Sequence, residues 1–180
     1  SNRNIEQYPS LEDDRTLVTQ KLQAEYERFQ ALWEHLHAVY GCPVIQNNFE
    51  PPLYRLLGNR DASDHRGRWN YIQRLNQMFY EYADMHQDFY IHDICYEAAD
   101  YGLERWSDPF YWNMYKYAMC VPAIPYTAFQ LARIIKSIFG RNKKVLNLDL
   151  DNTLWGGVIG DDGPENIEIG QETSLGQTYA

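Results

Sequence analysis

Apolar residues recur every three or four positions along the first part of the chain, which predicts a long amphipathic helix. We expect this helix to span residues 10–40, with Ser10 as its N-terminal cap. Gly41 and Pro43 should end it, because glycine favours helix ends and proline cannot continue a helix. The predicted apolar stripe consists of Val18, Leu22, Tyr26, Phe29, Trp33, Leu36 and Tyr40.

Strand and helix patterns alternate along the following hundred or so residues. Residues 42–48 and 89–94 are predicted to be short strands, and residues 67–85 form a helix between them. Short helices and loops are expected over residues 95–121, followed by a helix over residues 122–139. Such alternation predicts an α/β fold in which helices flank a parallel, Rossmann-like sheet.

A short apolar run at residues 145–148 leads directly into two aspartates, Asp149 and Asp151. A nearly continuous apolar run after a basic stretch predicts a strand that is buried on both faces. Alternate residues of a strand point to the same side, so the two carboxylates should converge. They would do so beyond the carboxyl end of the strand, where open α/β sheets bind ligands.

Two carboxylates in such proximity repel each other unless something offsets their charge. A divalent cation such as Mg²⁺, which prefers oxygen ligands, is one solution. A carboxyl group that keeps its proton is another. Both suit phosphoryl transfer, in which one carboxylate attacks phosphorus and the other handles the leaving-group proton. The structural alternative is an aspartate pair that caps the next turn together with Asn152 and Thr153.

The longer string DLDNTLWGGVIGDDG, at residues 149–163, closely resembles the first motif of the haloacid dehalogenase (HAD) superfamily. Within that superfamily it is most similar to the FkbH-like phosphatase subfamily (subfamily IIIC). The similarity extends in kind through ENIEIG and QETSLGQTYA, which end the chain. The resemblance is specific, but it covers only the last part of the sequence.

The resemblance implies a role for each residue of this motif. Asp149 would be the nucleophile that attacks phosphate, and Asp151 the general acid/base. Mg²⁺ would bind the Asp149 carboxylate and the backbone carbonyl of Asp151. Leu150, Asp151 and Asn152 would bind the substrate phosphate, and Thr153 would support the loop.

The same resemblance predicts two domains. Residues 1–140 would form a partial α/β region that resembles an SGNH hydrolase, and residues 141–180 would begin a HAD-type phosphatase domain. Residues 158–159 and 167–169 should pair as a β-hairpin that resembles the flap of HAD enzymes. The family's phosphate-binding Ser or Thr, its Lys and its later acidic residues have no counterpart here. We therefore expect this chain to be a fragment of a longer protein.

The SGNH-like region lacks the catalytic residues of that hydrolase class. It has no Ser in a G-D-S setting, and Tyr111 stands where a D-x-x-H pair beginning at Asp108 would need His. We expect Asp108 to cap a helix opened by Pro109. Trp106, Tyr111 and Trp112 are expected to be core or interface aromatics.

Composition narrows the possible partners and the compartment. The 180 residues include 25 acidic and 16 basic ones, a net charge of −9, which argues against binding nucleic acids or anionic membranes. No apolar run approaches the roughly 20 residues of a membrane helix. Cys42, Cys95 and Cys120 form no C-x-x-C pattern, so we expect free, buried thiols in a reducing cytoplasm.

Two functions follow from these observations. The first is a Mg²⁺-dependent phosphatase or phosphotransferase, inactive as this fragment alone. By resemblance it would use 1,3-bisphosphoglycerate and pass the glyceryl group to an acyl carrier protein. The second is a non-catalytic docking module for an acyl carrier protein. An acidic carrier would then require a local basic cluster, for example Arg60, Arg66 and Arg68.

Overall fold

The structure, a computed structural model, describes every residue from Ser1 to Ala180. It divides into two compact units, Ser1–Ile138 and Phe139–Ala180. The sequence predicted an SGNH-like domain over residues 1–140 and the start of a HAD-type domain over residues 141–180. Both assignments stay predictions.

The first helix, α1 (Arg15–Tyr40), begins later than the sequence predicted. Asp14 is its N-terminal cap, since the Asp14 carboxylate accepts a hydrogen bond from the Leu17 amide at 2.7 Å. The predicted cap at Ser10 is wrong. The amide and hydroxyl of Ser10 instead donate to the Asp13 carboxylate, at 2.9 and 2.6 Å. This local bonding competes with helix formation and produces a turn ahead of α1.

The end of α1 and most of its apolar stripe agree with the prediction. Gly41 has a φ of +56°, in the left-handed region that favours glycine, and its N–H donates to the His37 carbonyl at 2.9 Å. Leu36 and Tyr40, in the last turns of the helix, are exposed. The buried or partly buried members of the stripe are Val18, Leu22, Tyr26, Phe29 and Trp33.

Two short strands, β1 (Val44–Asn47) and β2 (Phe89–His92), form a parallel sheet in which Val44 lies opposite Phe89. The helix α2 (Arg68–Met85) connects them and packs against α1 and β2. Strand, helix and strand follow each other as predicted. The first unit is therefore an α/β fold with helices against a small parallel sheet.

Trp33 lies at the centre of the core and is 2% exposed. Its ring centroid lies 4.9 Å from that of Phe79, 4.8 Å from that of Tyr82 and 4.7 Å from that of Phe89. The Trp33 indole N–H donates to the Gln46 side-chain oxygen at 2.8 Å. One side chain thus joins α1 to α2 and to both strands.

Short helices follow β2, as the sequence predicted. They are α3 (Ile94–Tyr101), α4 (Leu103–Trp106) and α5 (Pro109–Tyr115). A second, smaller core lies among them, formed by Ile94, Ala98, Trp106, Cys120 and Ala123.

The three cysteine thiols are free, but they differ in burial. Cys120 is buried in the second core and Cys95 is half-buried. Cys42 is exposed, so the prediction of a buried thiol is wrong there. It follows the glycine that ends α1, and this turn lies outside the core.

The last helix of the first unit, α6 (Ile124–Ile138), starts after a 3₁₀ turn at Val121–Ala123. No residue of α6 is buried, and Phe129 is 63% exposed on the predicted apolar side. None of the helices combines the length and the apolar character that crossing a bilayer requires.

Buried polar groups lie at the carboxyl ends of both strands. His92, which ends β2, is 2% exposed, and its Nε2 lies 2.6 Å from Glu97 Oε1. Its Nδ1 lies 3.0 Å from the side-chain oxygen of Asn47, which ends β1. The buried Asn48 donates to the Asp93 carboxylate at 2.6 Å. These bonds fasten the two strand ends to each other and to the start of α3.

The second unit, Phe139–Ala180, does not form the strand predicted for residues 145–148. These residues have irregular backbone, with Val145 81% and Leu146 79% exposed. A strand is stable when its N–H and C=O groups pair with a neighbouring strand. The sheet consists of β1 and β2, which both lie in the first unit.

The β-hairpin predicted between residues 158–159 and 167–169 does not form, and a single antiparallel bridge joins Gly156 to Glu168 instead. The amide of Gly156 donates to the Glu168 carbonyl at 2.9 Å, and the Glu168 amide donates back at 2.8 Å. Residues 158–159 are not a strand, because the short helix α7 (Ile159–Asp162) begins there. The role of this segment as a flap stays a prediction.

The start of α2 has no room for a side chain at Gly67. A Cβ atom on Gly67 would lie 2.0 Å from the Asp61 carbonyl oxygen. We expect Gly67→Ala to destabilise the protein by at least about 1–3 kcal/mol, because backbone must move to relieve the contact. Urea unfolding measures this, with Gly160→Ala as control, since its Cβ would meet nothing within 4 Å. Equal unfolding midpoints for the two variants would contradict the expectation.

Removing one partner of the His92–Glu97 pair should destabilise the protein more than replacing both partners with apolar residues. Glu97 is 5% exposed and its Oε2 has no partner, so His92→Leu leaves a buried carboxylate without its main contact. We expect a loss of about 3–5 kcal/mol in the free energy of unfolding. The double variant His92→Leu/Glu97→Met should recover part of that loss, measured by the same urea unfolding. A double variant less stable than His92→Leu would exclude this explanation.

Candidate active-site loop

Asp149 and Asp151 lie on a loop that their own hydrogen bonds hold in place. The exposed Asp149 accepts a hydrogen bond from the Leu150 amide through Oδ1 at 2.9 Å. Asp151 Oδ1 accepts from the Trp155 indole N–H and from the Ile159 amide, both at 3.1 Å. In each carboxylate the Oδ2 atom makes no hydrogen bond within the protein, so it remains available to a ligand.

Asn152 closes the loop from the opposite side. Its φ of +53° is in the left-handed region, which asparagine tolerates better than most residues. The Asn152 amide donates to the Gly157 carbonyl at 3.3 Å, and the Gly157 amide donates to the Asn152 side-chain oxygen at 2.9 Å. The loop is therefore a compact turn fixed at both ends by the D-x-D-N sequence.

Thr153 supports this turn from within. Its hydroxyl donates to the Asp151 carbonyl at 3.4 Å, and its amide donates to the Leu150 carbonyl at 3.2 Å. Asn152 and Thr153 thus make the turn-capping hydrogen bonds that were the structural alternative for this sequence. The carboxylate of Asp151 also bonds within the loop, through Oδ1 alone.

The roles predicted for Asp149, Leu150, Asp151 and Asn152 stay predictions. The structure brings these residues together on one loop, but without the buried strand that was expected to carry them. The amides of Leu150 and Asn152 already have acceptors, in the Asp149 carboxylate and the Gly157 carbonyl. Phosphate binding by these two amides would require the loop to exchange one bond for another.

The donor atoms of the loop suit Mg²⁺ in kind. Magnesium is usually bound by one or two carboxylates and keeps several water molecules. The free oxygens of Asp149 and Asp151, with the Asp151 carbonyl, provide such hard donors. The chain contains no group of three or more His, Cys, Asp or Glu side chains arranged to hold a metal. The loop therefore fits the chemistry of Mg²⁺ but provides only part of a coordination shell.

The contacts among the polar groups at the strand ends of the first unit were not predicted from the sequence. The available signal was the polar pair that follows each predicted strand, Asn47-Asn48 and His92-Asp93. Carboxyl ends of parallel strands meet at one edge of a sheet, so the two pairs could have been expected to meet.

The predicted cap at Asp108 is confirmed. Its carboxylate accepts hydrogen bonds from the amides of Phe110 and Tyr111, at 2.9 and 3.3 Å, at the start of α5. Trp106 is 1% exposed and belongs to the second core, as expected. The ring of Tyr111 stacks on that of Tyr117. Asp108 thus has a structural role that explains its presence without hydrolase chemistry.

Comparison with known proteins identifies a related structure. No family model matches this chain, and no curated protein matches it. The chain is similar to a crystal structure of the N-terminal part of the protein BF1531 from Bacteroides fragilis, which contains a phosphatase domain complexed with Mg. The two are 26% identical with a TM-score of 0.79. The match covers 93% of this chain but 44% of the neighbour, so this chain spans less than half of that structure.

The loop geometry itself can be tested without activity. Asp151→Ala removes the acceptor for the Ile159 amide and the Trp155 indole, so both should exchange hydrogen faster with solvent. Asp151→Asn keeps an oxygen at the same position and should preserve most of the protection. Hydrogen exchange measured by NMR distinguishes the variants. Faster exchange in Asp151→Asn, equal to that in Asp151→Ala, would show that the bonds require the charged carboxylate.

Proposed function

We propose that this chain belongs to a Mg²⁺-dependent enzyme of the HAD type that transfers or hydrolyses phosphoryl groups through an aspartate nucleophile. The observation that carries the proposal is the similarity of 93% of the chain to a structure that contains a phosphatase domain complexed with Mg. The D-x-D sequence at residues 149–151 supports it independently. Because the chain spans 44% of that neighbour, the activity is proposed for the complete protein.

Asp149 is the proposed nucleophile. Its carboxylate is exposed and has one oxygen free of hydrogen bonds, which is the state that attack on phosphorus requires. The Leu150 amide bonds the other oxygen and orients the group. In the proposal, Leu150, Asp151 and Asn152 border the phosphate of the substrate.

Asp151 is the proposed general acid/base. One of its oxygens is held by Trp155 and Ile159, which fixes the direction of the other. That second oxygen would protonate the leaving group and then deprotonate the attacking water. The Asp149 carboxylate and the Asp151 carbonyl would hold Mg²⁺, which when bound offsets negative charge on the phosphate and on the two carboxylates.

The proposed substrate is a phosphorylated small molecule. The FkbH-like sequence at residues 149–163 favours an acyl phosphate, 1,3-bisphosphoglycerate, with transfer of the glyceryl group to an acyl carrier protein in the cytoplasm. Glyceryl transfer would break the bond between the acyl carbon and the phosphate oxygen, with phosphate as the leaving group. Simple phosphatase activity is the other candidate: Asp149 takes the phosphoryl group, the substrate oxygen leaves, and water then hydrolyses the aspartyl phosphate.

Two asparagine variants of the complete protein test the assignment. Asp149→Asn removes the nucleophile, so no phosphoenzyme should form. Asp151→Asn loses the proton transfer, worth about 10²- to 10⁴-fold. An acyl phosphate has a good leaving group, so the Asp151→Asn enzyme should still become phosphorylated but lose the phosphate slowly. Intact-protein mass spectrometry after an acid quench should show an added phosphate on Asp151→Asn and none on Asp149→Asn.

The reverse pattern, or an adduct on both variants, would mean that nucleophile and acid/base are wrongly assigned. Residues 1–180 alone serve as the comparison sample. We expect no adduct there, because two carboxylates provide only part of the metal shell and of the charge balance.

A docking module for an acyl carrier protein is the second candidate. The observation in favour of this candidate is an exposed basic side chain. Arg60 is 77% exposed, although the chain is acidic overall. Arg60 and Arg66 both pair with Asp64, so part of their charge is already neutralised. Absence of any phosphoenzyme in the complete wild-type protein, together with binding of a carrier protein, would favour this candidate.

A further inference from the structure

A cavity of about 160 Å³ lies in the first unit beside the segment that continues from the carboxyl end of β1. The N-terminal residues, the loop after β1 and residues 103–118 form its walls. This is the side of a parallel sheet on which α/β proteins bind ligands. The lining residues that matter here are Arg3, Glu50, Arg68, Trp106, Ser107 and Ala118.

Two arginines border this cavity. Arg3 donates to the Ser107 hydroxyl at 3.2 Å, and its guanidinium lies 4.1 Å from the centroid of the Trp112 ring. Burial lowers the pKa of Arg3, an effect that Glu50 partly opposes, so the guanidinium is incompletely solvated. Arg68 lies 4.9 Å from the Tyr8 ring and makes no hydrogen bond or ion pair within the protein. Both therefore have donor groups left for a ligand.

The carboxylate that lines the cavity already has hydrogen-bond donors within the protein. Glu50 is 4% exposed, and its carboxylate accepts hydrogen bonds from the Ser1 hydroxyl at 2.6 Å and the Asn2 amide at 3.2 and 3.1 Å. With two guanidinium groups and one carboxylate, the charged side chains of the lining carry one net positive charge. This contrasts with the net charge of −9 of the whole chain.

We propose that this cavity binds a small oxyanion, a monocarboxylate of a few heavy atoms, between Arg3 and Arg68. The planar guanidinium fork matches a carboxylate in geometry and charge. The single excess positive charge and the nearby Glu50 favour a monoanion over a dianion such as phosphate. The apolar part of the ligand would lie against Leu53 and Leu103, which also line the cavity and are only partly buried. The site uses no residue of the Asp149 loop and does not depend on the proposed phosphatase chemistry.

Titration calorimetry of the purified chain tests the proposal, with lactate, acetate and inorganic phosphate as probes at constant ionic strength. We expect saturable binding of the monocarboxylates, and weaker binding of phosphate. Arg3→Gln/Arg68→Gln should weaken monocarboxylate binding about tenfold or more, since two charge-assisted contacts are lost. Arg55→Gln is the matched control, because this exposed arginine of the same loop does not line the cavity. It should bind as the wild type does.

Ala118→Leu provides a second variant that keeps every charge. The larger side chain should fill part of the cavity and abolish binding, while the two arginines remain. Circular dichroism checks that each variant is folded. The proposal is overturned by no saturable binding, by phosphate binding more tightly than lactate, or by an equal loss in Arg55→Gln. Unchanged binding in Ala118→Leu would also overturn it, since the ligand would then bind elsewhere.

Discussion

The packing of Trp33 against the aromatic side chains of α2 and β2 is the interaction on which the first unit depends. The rings of Phe79, Tyr82 and Phe89 surround it within 5 Å between centroids, and its N–H is bonded to Gln46 on β1. Two strands of four residues would be marginal on their own. They are stabilised because α1 and α2 cover them around this one large side chain, nearly all of whose surface is removed from water.

Parallel pairing then determines which polar residues meet. The register sets Asn47 opposite His92, so both strands end at the same edge. The bonds from His92 to Asn47 and Glu97 satisfy buried polar groups and bring α3 against the sheet. The cationic cavity lies beside this edge because the loop that contains Glu50 continues directly from β1. A rigid sheet edge and an adaptable loop are the usual components of a ligand site in α/β proteins.

The second unit is organised differently, by local hydrogen bonds. In the Asp149 loop, each of Asp149, Asp151, Asn152 and Thr153 bonds to a group within eight residues of itself. Such a loop needs no sheet to hold its shape, because Asp and Asn side chains provide the acceptors that its amides require. It keeps two carboxylate oxygens free in close sequence proximity, which is the feature that the proposed phosphoryl chemistry requires. Burial contributes little, since Asp149 and its neighbours are exposed.

The sequence by itself determined the order and type of the elements of the first unit, because periodic apolar positions, Gly41 and the Asp108-Pro109 pair act locally. It also determined that Asp149, Asp151, Asn152 and Thr153 form one polar turn. The tertiary structure decided what depends on distant partners. Residues 145–148 form no strand, although their apolar pattern is typical of one. The start of α1 at Arg15 is a local effect instead, since Asp13 bonds Ser10 three residues before it. Pairing of β1 with β2 brought His92 to Asn47, and contacts between the N-terminal residues and the loop after β1 formed the cavity with Arg3 and Arg68. No local pattern records which distant segments will meet.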